Sequence, residues 1–230
     1  MKYLATTLLA YTLSLAPAFA ADNTLTPQEK AEGWELLFDG RSLRGWKTSH
    51  GAPSKVPVDQ HAINPHGSSG YMMIYDKPLS DFILSLDFKI SKGCNSGVFV
   101  RTFPLLPKPG RDVGMNGIEI AIDDTTTADY HDTGAFYDLV KPSRNAMKPA
   151  GQWNHMIITC DGPKFSVELN GELVNRMNLD EWTKPLVRPD GTSHKFDTAW
   201  KNHHRSGYIG LQDHGAPCWF KNIKLKPLSR

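Results

Sequence analysis

Ser80 to Arg101 reads SDFILSLDFKISKGCNSGVFVR, and its spacing decides the fold. From Phe82 to Ile90 an apolar residue stands at every second position (Phe82, Leu84, Leu86, Phe88, Ile90) with Ser85, Asp87 and Lys89 between them; only Ile83 breaks the pattern. Successive side chains of a strand point to opposite faces, so this is a strand with one buried face. Ser91 to Ser96 is small and polar and is expected to reverse the chain as a hairpin into a second strand, Gly97 to Arg101, whose Val98 and Val100 continue the core. Strict alternation then puts Arg101 on the face away from the core. There a guanidinium at a strand end could serve a concave sugar or anion site. A solvated Arg paired with a surface acid is the plainer alternative.

The same period recurs outward from this stretch. Gly33 to Lys47 (GWELLFDGRSLRGWK) gives a strand ending in an Asp39-Gly40 turn, and Tyr71 to Tyr75 another. Gly117 to Asp123 (GIEIAID) alternates cleanly, with Ile118, Ile120 and Ile122 on one face and Glu119, Ala121 and Asp123 on the other. Trp153 to Cys160, Lys164 to Leu169 and Glu172 to Met177 form a hairpin series with Asn170-Gly171 as a two-residue turn. The chain closes with Tyr208 to His214 and Cys218 to Leu225, with a bulge expected near Asn222. Long loops, Phe103 to Asn116, Asp124 to Lys148 and 180 to 206, interrupt the strands. No 3.6-period segment or fixed repeat is present. About a dozen short strands of this kind imply an all-β sandwich, with a jelly roll as the natural closure.

Before this domain, Lys2, the apolar Leu4 to Leu15 and Ala18-Phe19-Ala20 have the form of a signal peptide, residues 1–20, cut after Ala20. The apolar part is too short to span a membrane. A retained anchor is the alternative. The mature chain is expected to be periplasmic or secreted, with no membrane span. Residues 21–32 form a polar tether, with Thr26-Pro27 as a helix start, and 33–230 the single domain. Of 26 basic and 24 acidic residues the leader removes only Lys2, so the mature chain is near neutral and is not built to hold nucleic acid. The three cysteines, Cys94, Cys160 and Cys218, allow at most one disulfide, and core packing is the expected role of Cys160 and Cys218.

If the strands carrying them share one concave sheet, Arg101, Glu119, Gln212 and His214 converge and supply a base, a cation and hydrogen-bonding groups. Each has a plainer reading: Glu119 paired with Arg101, His214 closing a turn, Asp123 capping a loop. His131, His155, His203 and His204 show no metal-ligand spacing. Glu119 and Asp123 lie about 13 Å apart on one strand, beyond the roughly 5 to 10 Å that paired-carboxylate glycoside hydrolysis needs.

These stretches, with Pro149 to Asn154, Leu169 to Val174 and Gly207 to Leu228 (GYIGLQDHGAPCWFKNIKLKPL), occur in the order seen in the 3-keto-disaccharide hydrolase family, which the chain resembles over nearly all of its mature length. The resemblance implies a concanavalin A-like jelly roll and cleavage of a 3-keto-glycoside or 3-keto-disaccharide, made by a separate sugar oxidoreductase. A C3 ketone acidifies the C2 proton, so a base can remove it, the C1 glycosidic oxygen leaves by β-elimination, and water can add to the product. By the same resemblance Glu119 or His214 is the base, Arg101 the enolate partner, and Asn95, Asp123 and Gln212 contact the substrate; a divalent metal could replace the cation. Tyr137 and His131, in the long loop Asp124 to Lys148, are further candidates to line the substrate. Ala121 departs from the family pattern, which usually has Gln there. A non-catalytic carbohydrate-binding module on the same fold is the alternative.

Overall fold

The computed structural model describes residues 21–127 and 129–228, so the leader at 1–20 lies outside the described residues. A short helix, α1 (Pro27–Ala31), opens the chain. Thr26 caps it, its hydroxyl accepting from the Glu29 amide while the Glu29 carboxylate accepts from the Thr26 amide. Eleven strands follow: β1 (Glu35–Leu36), β2 (Trp46–Thr48), β3 (Met72–Tyr75), β4 (Phe82–Ile90), β5 (Asn95–Thr102), β6 (Ile118–Asp123), β7 (Asn154–Asp161), β8 (Lys164–Leu169), β9 (Glu172–Asn178), β10 (Tyr208–Gln212) and β11 (Cys218–Pro227). They form two antiparallel sheets, one of six strands in the order β1-β11-β4-β7-β8-β9 and one of five in the order β2-β3-β10-β5-β6.

The apolar alternation of β4 does what its spacing predicts. Phe82, Leu84, Leu86, Phe88 and Ile90 are all buried in the core between the sheets. Each such side chain contributes about 1.5 to 3 kcal/mol by leaving water. Facing them from the five-stranded sheet are Val98, Val100, Ile118, Ile120, Ile122, Ile209 and Leu211.

The expected hairpin between β4 and β5 does not form. β4 pairs with β11 and β7, whereas β5 pairs with β10 and β6. Ser91 to Cys94 is therefore an arch that carries the chain from one sheet to the other. A two-sided alternation fixes which face of a strand is buried; it does not fix the partner, and here both strands bury the matching faces against each other across the sandwich. The Asn170-Gly171 turn joins β8 to β9 with positive φ at both residues, 53° and 84°, as a primed hairpin turn requires. The bulge in β11 lies between Lys221 and Lys224, with Asn222 at φ 52°.

The outer face of the five-stranded sheet holds the site. One part of it is roofed by the 103–116 loop, whose Leu105 and Val113 pack with Met72, Ile74 and Phe99. Another is walled by residues 134–137, which run beside β6: Gly134 N–H donates to Ala121 O and Tyr137 N–H to Glu119 O, both at 3.0 Å. Ion pairs from Lys108 and Arg111 to Asp197 tie the 103–116 loop to the 180–206 loop.

Candidate active site

A cleft of about 140 Å³ opens on that face, bounded by Asn95 of β5, Glu119 of β6, Gln212 of β10, His214, Tyr71, Tyr137 and Lys195. Asn95, Glu119 and Gln212 come from neighbouring strands and point the same way by the period-2 rule. Gly97 makes room for the carboxylate. A Cβ there would lie 2.7 Å from Glu119 Oε1, so no other residue fits beneath it without displacing the acid.

Glu119 is only 8 % exposed, and burial pushes its carboxyl up to about 8, opposed by the charge of Lys195. A carboxyl held near neutrality in a cleft marks a proton-transfer group. Beside it the Gln212 side-chain amide donates to the Tyr71 hydroxyl at 2.8 Å. That hydroxyl thus keeps its own proton for another acceptor, and burial with the Glu119 charge nearby holds it well above the usual phenol range. Gln212 Oε1 is buried with no hydrogen-bond partner among the described residues. An unpaired buried carbonyl costs about 1 to 3 kcal/mol, which a donor on a ligand would recover.

Lys195 enters from the 180–206 loop. Asp138 holds that loop, accepting from the Lys195 amide at 2.8 Å and from Arg188 Nη2 at 2.9 Å. The Lys195 ammonium lies 3.9 Å over the Tyr137 ring, a cation–π contact that aims it at the cleft. On the opposite wall, the Asp213 carboxylate accepts from the amides of Gly67 and Gly215 at 2.9 and 3.0 Å and fixes the turn carrying His214.

Of the residues expected from sequence, the cleft gathers Asn95, Glu119, Gln212, His214 and Tyr137. Asp123 stands one step back: it accepts from the Asn95 amide at 2.9 Å and orients it. His131 stacks on Tyr137, ring centroids 4.6 Å apart, outside the cleft lining.

Arg101 is the correction. Two residues, Val100 and Arg101, oppose Ile209 at a bulge between β5 and β10, and Arg101 has φ 51°. The bulge rotates its side chain off the cleft face into the end of the sandwich. There it is fully buried, donates to Ser80 O (3.0 Å), Gly162 O (2.7 Å) and Asp81 Oδ1 (2.8 Å), and lies over the Phe165 ring. The cation of the cleft is Lys195 instead. Neither Lys195 nor Tyr71 stands on an alternating strand face, so no periodic signal marks them. Among the described residues no three His, Cys, Asp or Glu side chains gather in a group that could hold a metal ion.

A larger cavity, about 650 Å³, lies along β8 and β9 over Leu139, Phe165, Met177 and Trp182. It contains none of the expected residues, so the smaller cleft is the candidate site.

The sequence profile of the 3-keto-α-glucoside-1,2-lyase-like domain matches residues 33–226. The chain belongs to this family. A 3-keto-disaccharide hydrolase of Bacteroides thetaiotaomicron is 27% identical over 254 residues, covering 96% of this chain and 86% of that protein. Two crystal structures from Parabacteroides distasonis, provisionally assigned as glycosyl hydrolases, superpose with TM-scores of 0.73 and 0.68 at 25% and 27% identity. They cover 91% and 85% of this chain and 100% and 99% of theirs. Family membership makes the chain a carbohydrate-active protein of the 3-keto-glycoside class, and these neighbours share its two-sheet antiparallel sandwich. No helix among the described residues is long and apolar enough to cross a membrane.

Proposed function

We propose that this protein cleaves the glycosidic bond of 3-keto-glycosides by removing the C2 proton and expelling the C1 oxygen. The observation that carries the proposal is the Glu119 carboxyl, buried in the cleft and held near pH 8 opposite a lysine. A base must hold a proton well to take one from carbon, and a raised pKa gives Glu119 that basicity while leaving it partly ionised at neutral pH. As the C2–H bond breaks, its electron pair makes a C2=C3 enolate whose negative charge sits on the former ketone oxygen. Lys195 and the Tyr71 hydroxyl are the groups placed to stabilise it. The enolate then collapses to the ketone, a C1=C2 double bond forms, and the C1–O bond breaks. His214, exposed at the rim, gives the departing oxygen its proton. Gln212 Oε1 and the Asn95 amide bind ring hydroxyls. Addition of water to the 2-hydroxy-3-keto-glucal completes a net hydrolysis.

This chemistry needs only one carboxylate and a ketone already in place, so it fits a site with one buried acid. It requires an oxidoreductase upstream that makes the C3 ketone. With the leader at 1–20 we assign both steps to the periplasm or the cell exterior. Purified protein is given a 3-keto-glucoside carrying a chromogenic aglycone, alongside the unoxidised glucoside. Aglycone release from the keto sugar alone, lost in Glu119→Gln, supports the reading. Binding of both sugars with no release from either would overturn it and identify a binding module.

A further inference from the structure

With three cysteines, the sequence does not say which two could be joined. In the structure all three are unbonded, buried thiols. Cys160 lies on β7 opposite Phe82, at the Arg101 end of the sandwich. Cys94 and Cys218 meet at the other end. Cys94 ends the arch after β4, its amide donating to Ser91 O at 3.2 Å, while the Ser91 amide donates at 3.1 Å to Pro217 O, next to Cys218. Cys94 Sγ reaches the carbonyl of Ala216, two residues before Cys218, at 3.9 Å, and Cys218 stands opposite Ile90, the last residue of β4 before the arch.

We propose that Cys94 and Cys218 are a disulfide pair, joined when the chain folds in an oxidising medium, with Cys160 left as the free thiol. These backbone and sulfur contacts hold the arch bearing Cys94 against the turn leading into Cys218, which brings the two cysteines to one place where the roughly 2.05 Å bond can close. The oxidant is itself a disulfide, small or protein-borne. One cysteine thiolate attacks it and expels half as a thiol, forming a mixed disulfide. The second cysteine thiolate then attacks the sulfur of the first cysteine, forming the Cys94–Cys218 bond and expelling the other half of the oxidant. The two S–H protons end on the two departing thiols, and the pair of electrons given up by the cysteines goes to the oxidant. Both thiols are shielded once folding is complete, each 1 % exposed, so the exchange belongs to the folding chain. The bond would tie the turn bearing His214 to the start of β5 bearing Asn95, two walls of the cleft, and would close a loop of about 120 residues, the long-loop case in which a crosslink restricts the unfolded chain most.

The test refolds the full chain from reduced, denatured protein in a glutathione redox buffer, then alkylates it after acid denaturation. The expected result is one alkylated cysteine, mapped to Cys160, and a melting temperature roughly 10 °C higher than under reductant. Cys160→Ser should then show no alkylation, and Cys218→Ser two modified cysteines. Three alkylated cysteines in the wild type, or a crosslinked peptide containing Cys160, would overturn the proposal. Should Cys218→Ser not fold, the Cys160→Ser variant decides alone.

Discussion

The two ends of β5 carry polar side chains of similar promise, and the fold uses them in opposite ways. At the first end Asn95 faces the cleft, with Glu119 and Gln212 on the strands to either side. At the other, one extra residue turns Arg101 inward, where its guanidinium donates to Ser80 O, Gly162 O and the Asp81 carboxylate. One end leaves hydrogen-bonding groups unpaired, as Gln212 Oε1 is; the other satisfies its charge and closes the sandwich between β5, the start of β4 and the β7–β8 turn. An unpaired group alone does not mark a site, since Thr102 Oγ1 beside Arg101 is also buried with no partner among the described residues; at the cleft end the unpaired Gln212 Oε1 stands beside a carboxyl that burial raises.

The largest effect should come at the Glu119 end. Glu119→Gln is expected to lower kcat for the 3-keto-glucoside by 10² to 10⁴ fold, the usual worth of a general base. The same change should stabilise the protein in alkali. The folded carboxyl sits near 8 and the unfolded one near 4.5, so the wild type loses stability as pH rises between these values. The loss is on the order of 4 kcal/mol from pH 5 to 9, and the Gln variant escapes it. Melting curves at both pH values check this; equal pH slopes for the two proteins would contradict it.

At the opposite end the balance reverses. Arg101→Met should cost about 3 to 5 kcal/mol of stability, because it leaves Asp81 and the carbonyls of Ser80 and Gly162 without their partner. The kcat of the protein that remains folded should stay within about twofold, since the guanidinium lies at the end of β5 away from the cleft, on Ser80, Gly162 and Asp81. A kcat falling with stability intact would return Arg101 to the active site. This end should also fail in acid. The His203 ring N–H donates to the Arg101 carbonyl at 3.0 Å, and burial lowers its pKa to about 4. The folded state therefore resists protonation that the unfolded chain accepts near 6.5. Stability is complete above that value and falls as pH drops toward 4, by about 3 kcal/mol. A His203→Gln variant should lose most of that acid slope in its melting curves.

Lys195→Gln separates the two cations. It should reduce kcat about 100-fold with little change in melting temperature, as expected of an exposed side chain stabilising transition-state charge. It should also shift the pH limb of kcat/KM upward from about 8, because the charge opposing the burial of Glu119 is gone. A smaller kcat with the limb unmoved would place Lys195 away from Glu119.

The contrast also shows what a sequence discloses. Alternation identifies the buried faces of β4 and β6, and Glu119 on the reverse of β6 and Gln212 on β10 are legible for the same reason, whereas Asn95 falls in the stretch read as a turn and is reached only through the family resemblance. The arch between β4 and β5 was not legible, because strand pairing depends on segments more than a hundred residues away, such as β11. Arg101 was misplaced by one bulge, since a single inserted residue reverses every later side chain. Lys195 and Tyr71 lie in or beside irregular segments, where no period exists to read.

The smallest effect tests the finest feature of the cleft end. Tyr71→Phe keeps the ring, which sits edge-on to Phe99 at 6.0 Å, and removes only the hydroxyl that accepts from the Gln212 amide. Two consequences oppose each other. Losing a donor to the enolate should slow the reaction about tenfold, the worth of one hydrogen bond of some 1 to 1.5 kcal/mol. Freeing the Gln212 amide leaves a second buried polar group unpaired, so a substrate hydroxyl gains a donor and KM should hold or fall slightly. A drop in kcat with KM unchanged therefore assigns Tyr71 to the transition state. A rise in KM with kcat unchanged would make it a ground-state contact, and the cleft would then recognise the sugar through the Tyr71–Gln212 pair as a unit.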